Sequence, residues 1–212
     1  MIKGDYLNLT KGQLKSKDGI DLYSRKDFDG MHTAGRIAAE ILDEIVTSVF
    51  PGQTTGKIDA IIEELIRDKN VESGTIGYRG YQHASCISVN HVVCHGIPSD
   101  KILKEGDILN IDVTVIKDGW YGDTSRMYVA GQPSRKAERL IQVTHDALFK
   151  GIDAVKPGKT FGDIGHAIQT YVEANRMSVV RDFCGHGLGR VFHSPPNVLH
   201  YGREGTGPRI EE

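Results

Sequence analysis

The sequence has little cysteine. Its three thiols, Cys86, Cys94 and Cys184, include no pair at Cys-x-x-Cys spacing. That excludes a cysteine-based zinc finger, and the odd count fits a reducing cytoplasm. No apolar run is long enough to cross a bilayer, and the opening residues Met1-Ile2-Lys3-Gly4-Asp5 lack the apolar centre of a signal peptide. A dominant charge sign is missing too: 26 Lys and Arg stand against 28 Asp and Glu, for a net charge of -2. Overall charge therefore implies no nucleic-acid partner and no membrane surface. Low-complexity segments and long linkers are also absent, so the expectation is a polar N-terminal extension over 1–24 followed by a single domain over 25–212.

Glycine, in contrast, is abundant at 25 residues, which points to crowded backbone around a site. The chain is organised around Ile108 to Met127. Asp118-Gly119 is a favoured two-residue turn after a run rich in β-branched residues, so the stretch reads as a β-hairpin. Leu109, Ile111, Val113 and Val115 alternate with Asn110, Asp112 and Thr114, giving one apolar face and one oxygen-bearing face. That turn sets Thr114 opposite Asp123 and Asp112 opposite Ser125, with the two aspartates as diagonal neighbours within about 7–8 Å. Carboxylates so close repel unless a cation intervenes, and a metal is the simplest remedy. The alternative is an ordinary solvated sheet face.

Before the hairpin, Met31, Ala34, Ile37, Ala38, Ile41, Leu42, Ile45, Val46 and Val49 recur at helical spacing. They predict a helix from a capping-box-like Ser24-Arg25-Lys26-Asp27 to Phe50, stopped by Pro51-Gly52. A second helix is expected from Thr55 to Asp68. Residues 75–98 read as strand and loop, with a strand through Val92-Val93. After the hairpin, 134–155 read as an amphipathic helix carrying Ala137, Leu140, Ile141, Ala147, Leu148 and Ile152. A fourth helix is expected over 161–175, and strand and loop beyond 179.

An internal repeat is visible. Pro51-Gly52-Gln53-Thr54-Thr55-Gly56-Lys57-Ile58 matches Pro157-Gly158-Lys159-Thr160-Phe161-Gly162-Asp163-Ile164, in the same helix–helix context. Two α+β halves with a site between them are the natural architecture. By this symmetry the twin of the hairpin would run to about residue 236, so the second half is expected to lack its last strands.

Three histidines have unusual settings. His95 lies between Cys94 and Gly96. His186 lies in Gly185-His186-Gly187-Leu188-Gly189, where glycines permit close backbone approach. His193 precedes Ser194-Pro195-Pro196, read as a rigid turn. Histidine plus carboxylates without thiolates suits Mn, Fe, Co or Zn in a hydrolytic site, where two ions can share a water and polarise a carbonyl. His32, His83, His91, His145, His166 and His200 default to structural or solvated roles. Cys86 and Cys94 read as apolar packing in a strand environment, with no activating base evident. Tyr78 and Tyr81 are candidates for a pocket wall, with core packing the alternative.

Several ordered motifs resemble type I methionine aminopeptidase: Val92-Val93-Cys94-His95-Gly96-Ile97-Pro98, Asn110-Ile111-Asp112-Val113-Thr114, Gly122-Asp123-Thr124-Ser125, Cys184-Gly185-His186-Gly187-Leu188-Gly189-Arg190, Phe192-His193 and Val198-Leu199-His200-Tyr201. The resemblance covers roughly residues 27–212. It implies an α+β pita-bread fold of two pseudo-symmetric halves and removal of the initiator methionine from nascent polypeptides in the cytoplasm. The nascent N-terminus would be the partner, with the ribosome surface a further candidate. The resemblance also implies two divalent ions (Co, Mn, Fe or Zn). Asp112 and His186 would each ligate one ion and Asp123 would bridge them, with Thr114 beside the metal. His95 and His193 would be the catalytic contacts to substrate, and Tyr78, Tyr81, Cys86 and Phe192 would line the methionine pocket.

The sequence departs from the family pattern at its C-terminal end. Two further glutamate ligands of the family lie in strands expected beyond Gly207-Pro208-Arg209-Ile210-Glu211-Glu212, and neither Glu211 nor Glu212 is assigned to that role. The first of those two family ligands also acts as general base in the family; loss of a general base costs about 10²–10⁴-fold, so the isolated chain is expected to be impaired. His91 stands where the family commonly has Glu. The alternative reading is a non-catalytic, partner-binding remnant of the same fold. A proline-specific relative such as prolidase fits the Cys94-His95-Gly96-Ile97-Pro98 motif less well.

Overall fold

The computed structural model describes residues 15–211; residues 1–14 of the expected extension and Glu212 lie outside them. The elements are α1 (Arg25–Glu44), α2 (Thr55–Asp68), β1 (Glu72–Ser73), β2 (Ser85–Val89), β3 (Ile108–Lys117), β4 (Trp120–Val129), α3 (Arg135–Asp153), α4 (Phe161–Ala174), β5 (Gly185–Gly187) and β6 (Ser194–Val198).

Alternation along β3 builds the sheet. Leu109, Ile111, Val113 and Val115 are fully buried against α1 and α2, where Ala38, Ile41, Leu42, Ile45, Ile58 and Ile62 meet them. β3 is central: β4 pairs along one edge, while β2 and then β1 pair antiparallel along the other. The turn residues Asp118 and Gly119 both take positive φ, of 51° and 76°, as a type I′ hairpin requires. Two glycines let α1 approach. A Cβ at Gly122 would lie 2.2 Å from the Ala34 carbonyl carbon, and one at Gly30 would lie 2.3 Å from the Trp120 ring nitrogen.

The repeat is structural in detail. Thr54 caps α2 by accepting from the Lys57 N–H, and Thr160 caps α4 by accepting from the Asp163 N–H. Gly52 N–H donates to the Leu103 carbonyl at 2.8 Å, as Gly158 does to Ile210 at 2.9 Å. Gly56 donates to Ser99 at 2.7 Å, as Gly162 does to Thr206 at 2.8 Å. Each Pro-Gly-x-Thr-x-Gly loop is thus zipped to a segment further along its own half; at Gly56 and Gly162 carbonyl oxygens occupy the space of a side chain, whereas Gly52 and Gly158 take positive φ.

The chain divides into two compact units. One comprises Arg25–Ala137 with the short segment Leu188–Phe192. The other comprises the rest of the described residues, 15–24, 138–187 and 193–211. The main apolar core lies in the first unit. In the second, α3 and α4 meet at Gly151, which admits Ile168 and Ile164, and the two-stranded β5–β6 sheet completes it.

Four expectations are corrected. The first helix ends at Glu44 and tightens to a 3-10 turn over Ile45–Ser48, where successive β-branched residues crowd the α-helical turn. Val92-Val93 is loop: β2 ends at Val89, Asn90 turns at φ 54°, and the chain doubles back until Gly96 accepts from the Ile87 N–H at 2.8 Å. Ser194-Pro195-Pro196 is the start of β6 and no turn, since Ser194 pairs with Gly187. On α3 the buried residues are the small Val143, Ala147 and Gly151, the last against Ile168 and Ile164 of α4, while Leu140, Leu148 and Ile152 stay exposed.

Candidate metal and substrate site

The oxygen-bearing face of the hairpin carries the chemistry. Thr114 pairs with Asp123 and Asp112 with Ser125, as the turn demanded, and on the other edge Cys86 pairs with Asp112. Cys86, Asp112 and Ser125 therefore form one row across three strands, with Thr114 and Asp123 in the next. The buried Thr114 hydroxyl donates to Asp123 Oδ1 at 2.8 Å and fixes that carboxylate. Asp112 is raised well above the usual carboxylate range by its burial, then by the charge of Asp123, then by a hydrogen bond between the two. Two acids share one face and compete for one charge. A divalent cation would remove that conflict, so this donor set fits a metal. Among the described residues no cluster of three His, Cys, Asp or Glu is present.

Beside the aspartates lie the residues expected to form a pocket wall. Tyr81 donates its hydroxyl to the Ser85 carbonyl at 2.8 Å and also meets Cys86. Burial, followed by the neighbouring thiol, pushes the Tyr81 phenol upward. Burial also pushes the Cys86 and Cys94 thiols up, so both stay protonated and unsuited to nucleophilic attack. Tyr78 packs on Phe192 at 4.8 Å between ring centroids, and Tyr121 stacks on the other flank of Phe192 at 5.5 Å. Tyr121 was missed in the sequence, although its parity with Asp123 on β4 puts it on the same face.

His95 takes a positive φ of 54° in the loop after β2, held by Gly96, whose N–H donates to Ser88 Oγ at 3.0 Å. A Cβ at Gly96 would meet the Ile87 carbonyl oxygen at 2.2 Å, so the loop hugs the strand and presents His95 on an exposed rim. His186 and His193 belong to the second unit, with ring centroids 4.3 Å apart. His186 Nδ1 lies 3.0 Å from the Gly187 carbonyl oxygen, which only accepts. Nδ1 therefore donates, which leaves Nε2 as the nitrogen a metal would take.

Behind the wall lies a group that sequence reading left unassigned. Asp59 on α2 accepts from the Ser85 N–H at 2.9 Å and from Ser85 Oγ at 2.7 Å, and faces His83 Nδ1 at 3.1 Å. Its signal was an acid on the apolar stripe of α2. Of the remaining histidines, His83 faces Asp59, His145 lies 3.7 Å from Asp146, and burial lowers the pKa of His200.

The sequence matches the family described as metallopeptidase family M24 over residues 29–212. The chain belongs to that family. It is 54% identical to the methionine aminopeptidase of Rickettsia prowazekii over 193 residues, covering 91% of this chain and 74% of the relative. It is 50% identical to the methionine aminopeptidase of Escherichia coli K12 over 184 residues, covering 86% of this chain and 70% of that relative. The crystal structure of the Rickettsia prowazekii enzyme superposes with a TM-score of 0.89 over 91% of this chain and 77% of its own, again at 54% identity. The α+β pita-bread fold expected from the motifs is the fold of these M24 relatives. Membership of a metallopeptidase family also implies dependence on divalent metal. No helix among the described residues is long and apolar enough to cross a membrane.

Proposed function

We propose that this chain is a metal-dependent aminopeptidase that releases the N-terminal methionine of nascent polypeptides in the cytoplasm, working as one domain over 25–212. The observation that carries the reading is the Asp112–Asp123 pair on one sheet face, in a chain 54% identical to a methionine aminopeptidase. Asp112, Asp123 and His186 are the proposed ligands for two ions drawn from Mn, Co, Fe or Zn. Bound there, such ions lower the pKa of a water and polarise the scissile carbonyl.

The chain's own residues supply the rest. Thr114 holds the Asp123 carboxylate in place by donating to it. His95 and His193 contact the substrate at the attacked peptide group and steady the charge that develops there. Tyr78, Phe192, Tyr81 and Cys86 line the methionine side chain, a soft apolar group that favours aromatic and sulfur contacts. Protonated Cys86 keeps that wall uncharged. The test is methionine release from a Met-Gly-Met peptide with added Mn or Co, for this chain and for Asp123→Ala. Turnover no greater than that of the variant would overturn the reading.

A further inference from the structure

Phe192 is the one pocket residue that does not come from the sheet or from the loop preceding it. It reaches the wall at the end of Leu188–Phe192, a five-residue segment grouped with the hairpin although both its flanks belong to the other unit. What holds this segment is visible. The Gly189 carbonyl accepts from the Tyr121 N–H at 2.9 Å, adding one main-chain bond to the outer edge of β4. Next to it, Arg190 lays its guanidinium over the Trp120 ring at 3.8 Å from the centroid and donates from Nη1 to the Asp118 carbonyl at 2.5 Å. Trp120 cannot yield, because it is 95% buried against α1, where glycine at position 30 makes room for its ring. Gly119 makes room for Arg190 in turn, since a Cβ there would stand 2.7 Å from Nη1. Two residues beyond Arg190, Phe192 is buried between Tyr78 and Tyr121.

We propose that Arg190 is a positioning residue: by clamping Leu188–Phe192 to the hairpin turn, it sets Phe192 against Tyr78 and Tyr121 and so fixes the width of the pocket for the substrate's first side chain. This rests on the function proposed above. Guanidinium suits the task and ammonium does not, because only a planar fork stacks on an indole and donates sideways to a carbonyl at once. The neighbour Val191 is exposed and adds no comparable anchor.

The experiment compares the wild-type chain with Arg190→Leu and Arg190→Lys. Trp120 is the only tryptophan of the chain, so its emission and acrylamide quenching report the clamp directly. Amide exchange at Tyr121 reports the docking of the segment. Steady-state kinetics on a Met-Gly-Met peptide with Mn report the pocket. For Arg190→Leu we expect at least twofold stronger quenching, faster Tyr121 exchange, and a KM raised about three- to tenfold with kcat within about twofold, the scale of one lost cation–π contact. Arg190→Lys should rescue little of this.

Unchanged quenching would overturn the clamp. Altered quenching with unchanged KM and unchanged Tyr121 exchange would overturn the positioning role. A wild-type chain without turnover would count against the proposed function alone. Emission and exchange would then still decide the clamp and the docking.

Discussion

Asp107 shows how one side chain sets a pH limit. Burial pushes its carboxyl up, but Asn90 Nδ2 donates to it, as does the Lys104 N–H, and Lys101 and Lys104 stand nearby; the net result lies below the usual carboxylate range. A carboxyl depressed in the folded state contributes stability above its unfolded value and loses it as pH falls through its folded value. Asp107→Asn should therefore cost stability at neutral pH, with the gap to wild type closing as pH falls through the usual carboxylate range and below it. Urea unfolding across that range checks it, and a gap independent of pH would contradict the assignment. Asp59 is a residue-scale case of a different kind. It satisfies two donors of Ser85, which has no exposed surface. Asp59→Ala strands both, and the expected loss is about 2–4 kcal/mol by chemical denaturation. Asp59→Asn should recover most of it, since both Ser85 donors meet Oδ1, an oxygen the amide keeps; only the Oδ2 contact with His83 Nδ1 is altered.

At the scale of elements, the hairpin and α1 depend on each other. Gly122 sits opposite Val115, and its missing side chain is the space occupied by the backbone of Ala34 and Gly35. A methyl there pushes the helix off β4, and β4 carries Asp123. Gly122→Ala should destabilise the chain by about 1–3 kcal/mol and weaken metal binding, although no ligand is altered. Calorimetric metal titration of the folded variant separates the two effects. Unchanged stability would show that α1 is free to shift. The duplicated caps make the same point from the other side: Thr54 and Thr160 each close the first turn of a helix, and each loop is zipped to its partner segment by matching hydrogen bonds.

At the scale of the whole molecule, ligand binding and folding are linked. The pair Asp112 and Asp123 is an electrostatic cost in the absence of a cation, because burial and the charge of Asp123 oppose ionisation of Asp112. Added Mn or Co should raise the thermal midpoint with ion concentration, by the equivalent of about 2.7 kcal/mol at a hundredfold excess over Kd. Asp123→Ala should abolish most of that rise, and a chelator should reverse it in wild type. Equal rises in both proteins would place the ion elsewhere.

The amino-acid sequence by itself determined what local rules govern. The Asp118-Gly119 turn and the two-residue alternation set the hairpin register, and with it the aspartate pair. Thr54 and the apolar spacing set α2, whose bounds match expectation from Thr55 to Asp68. The Pro-Gly-x-Thr-x-Gly repeat announced the duplication. What the tertiary structure decided depends on segments far apart in the chain. Strand pattern alone placed Val92-Val93 in the sheet; the closed path from Asn90 to Gly96 took them out. Apolar spacing on α3 named Ala147, Leu148 and Ile152; the fold buries Ala147 together with the unnamed Val143 and Gly151, and leaves Leu148 and Ile152 exposed. No periodicity could bring Phe192 between Tyr78 and Tyr121, or Arg190 onto Trp120. Those contacts are fixed by which surfaces fill one another's space, and packing of that kind leaves no period in the sequence.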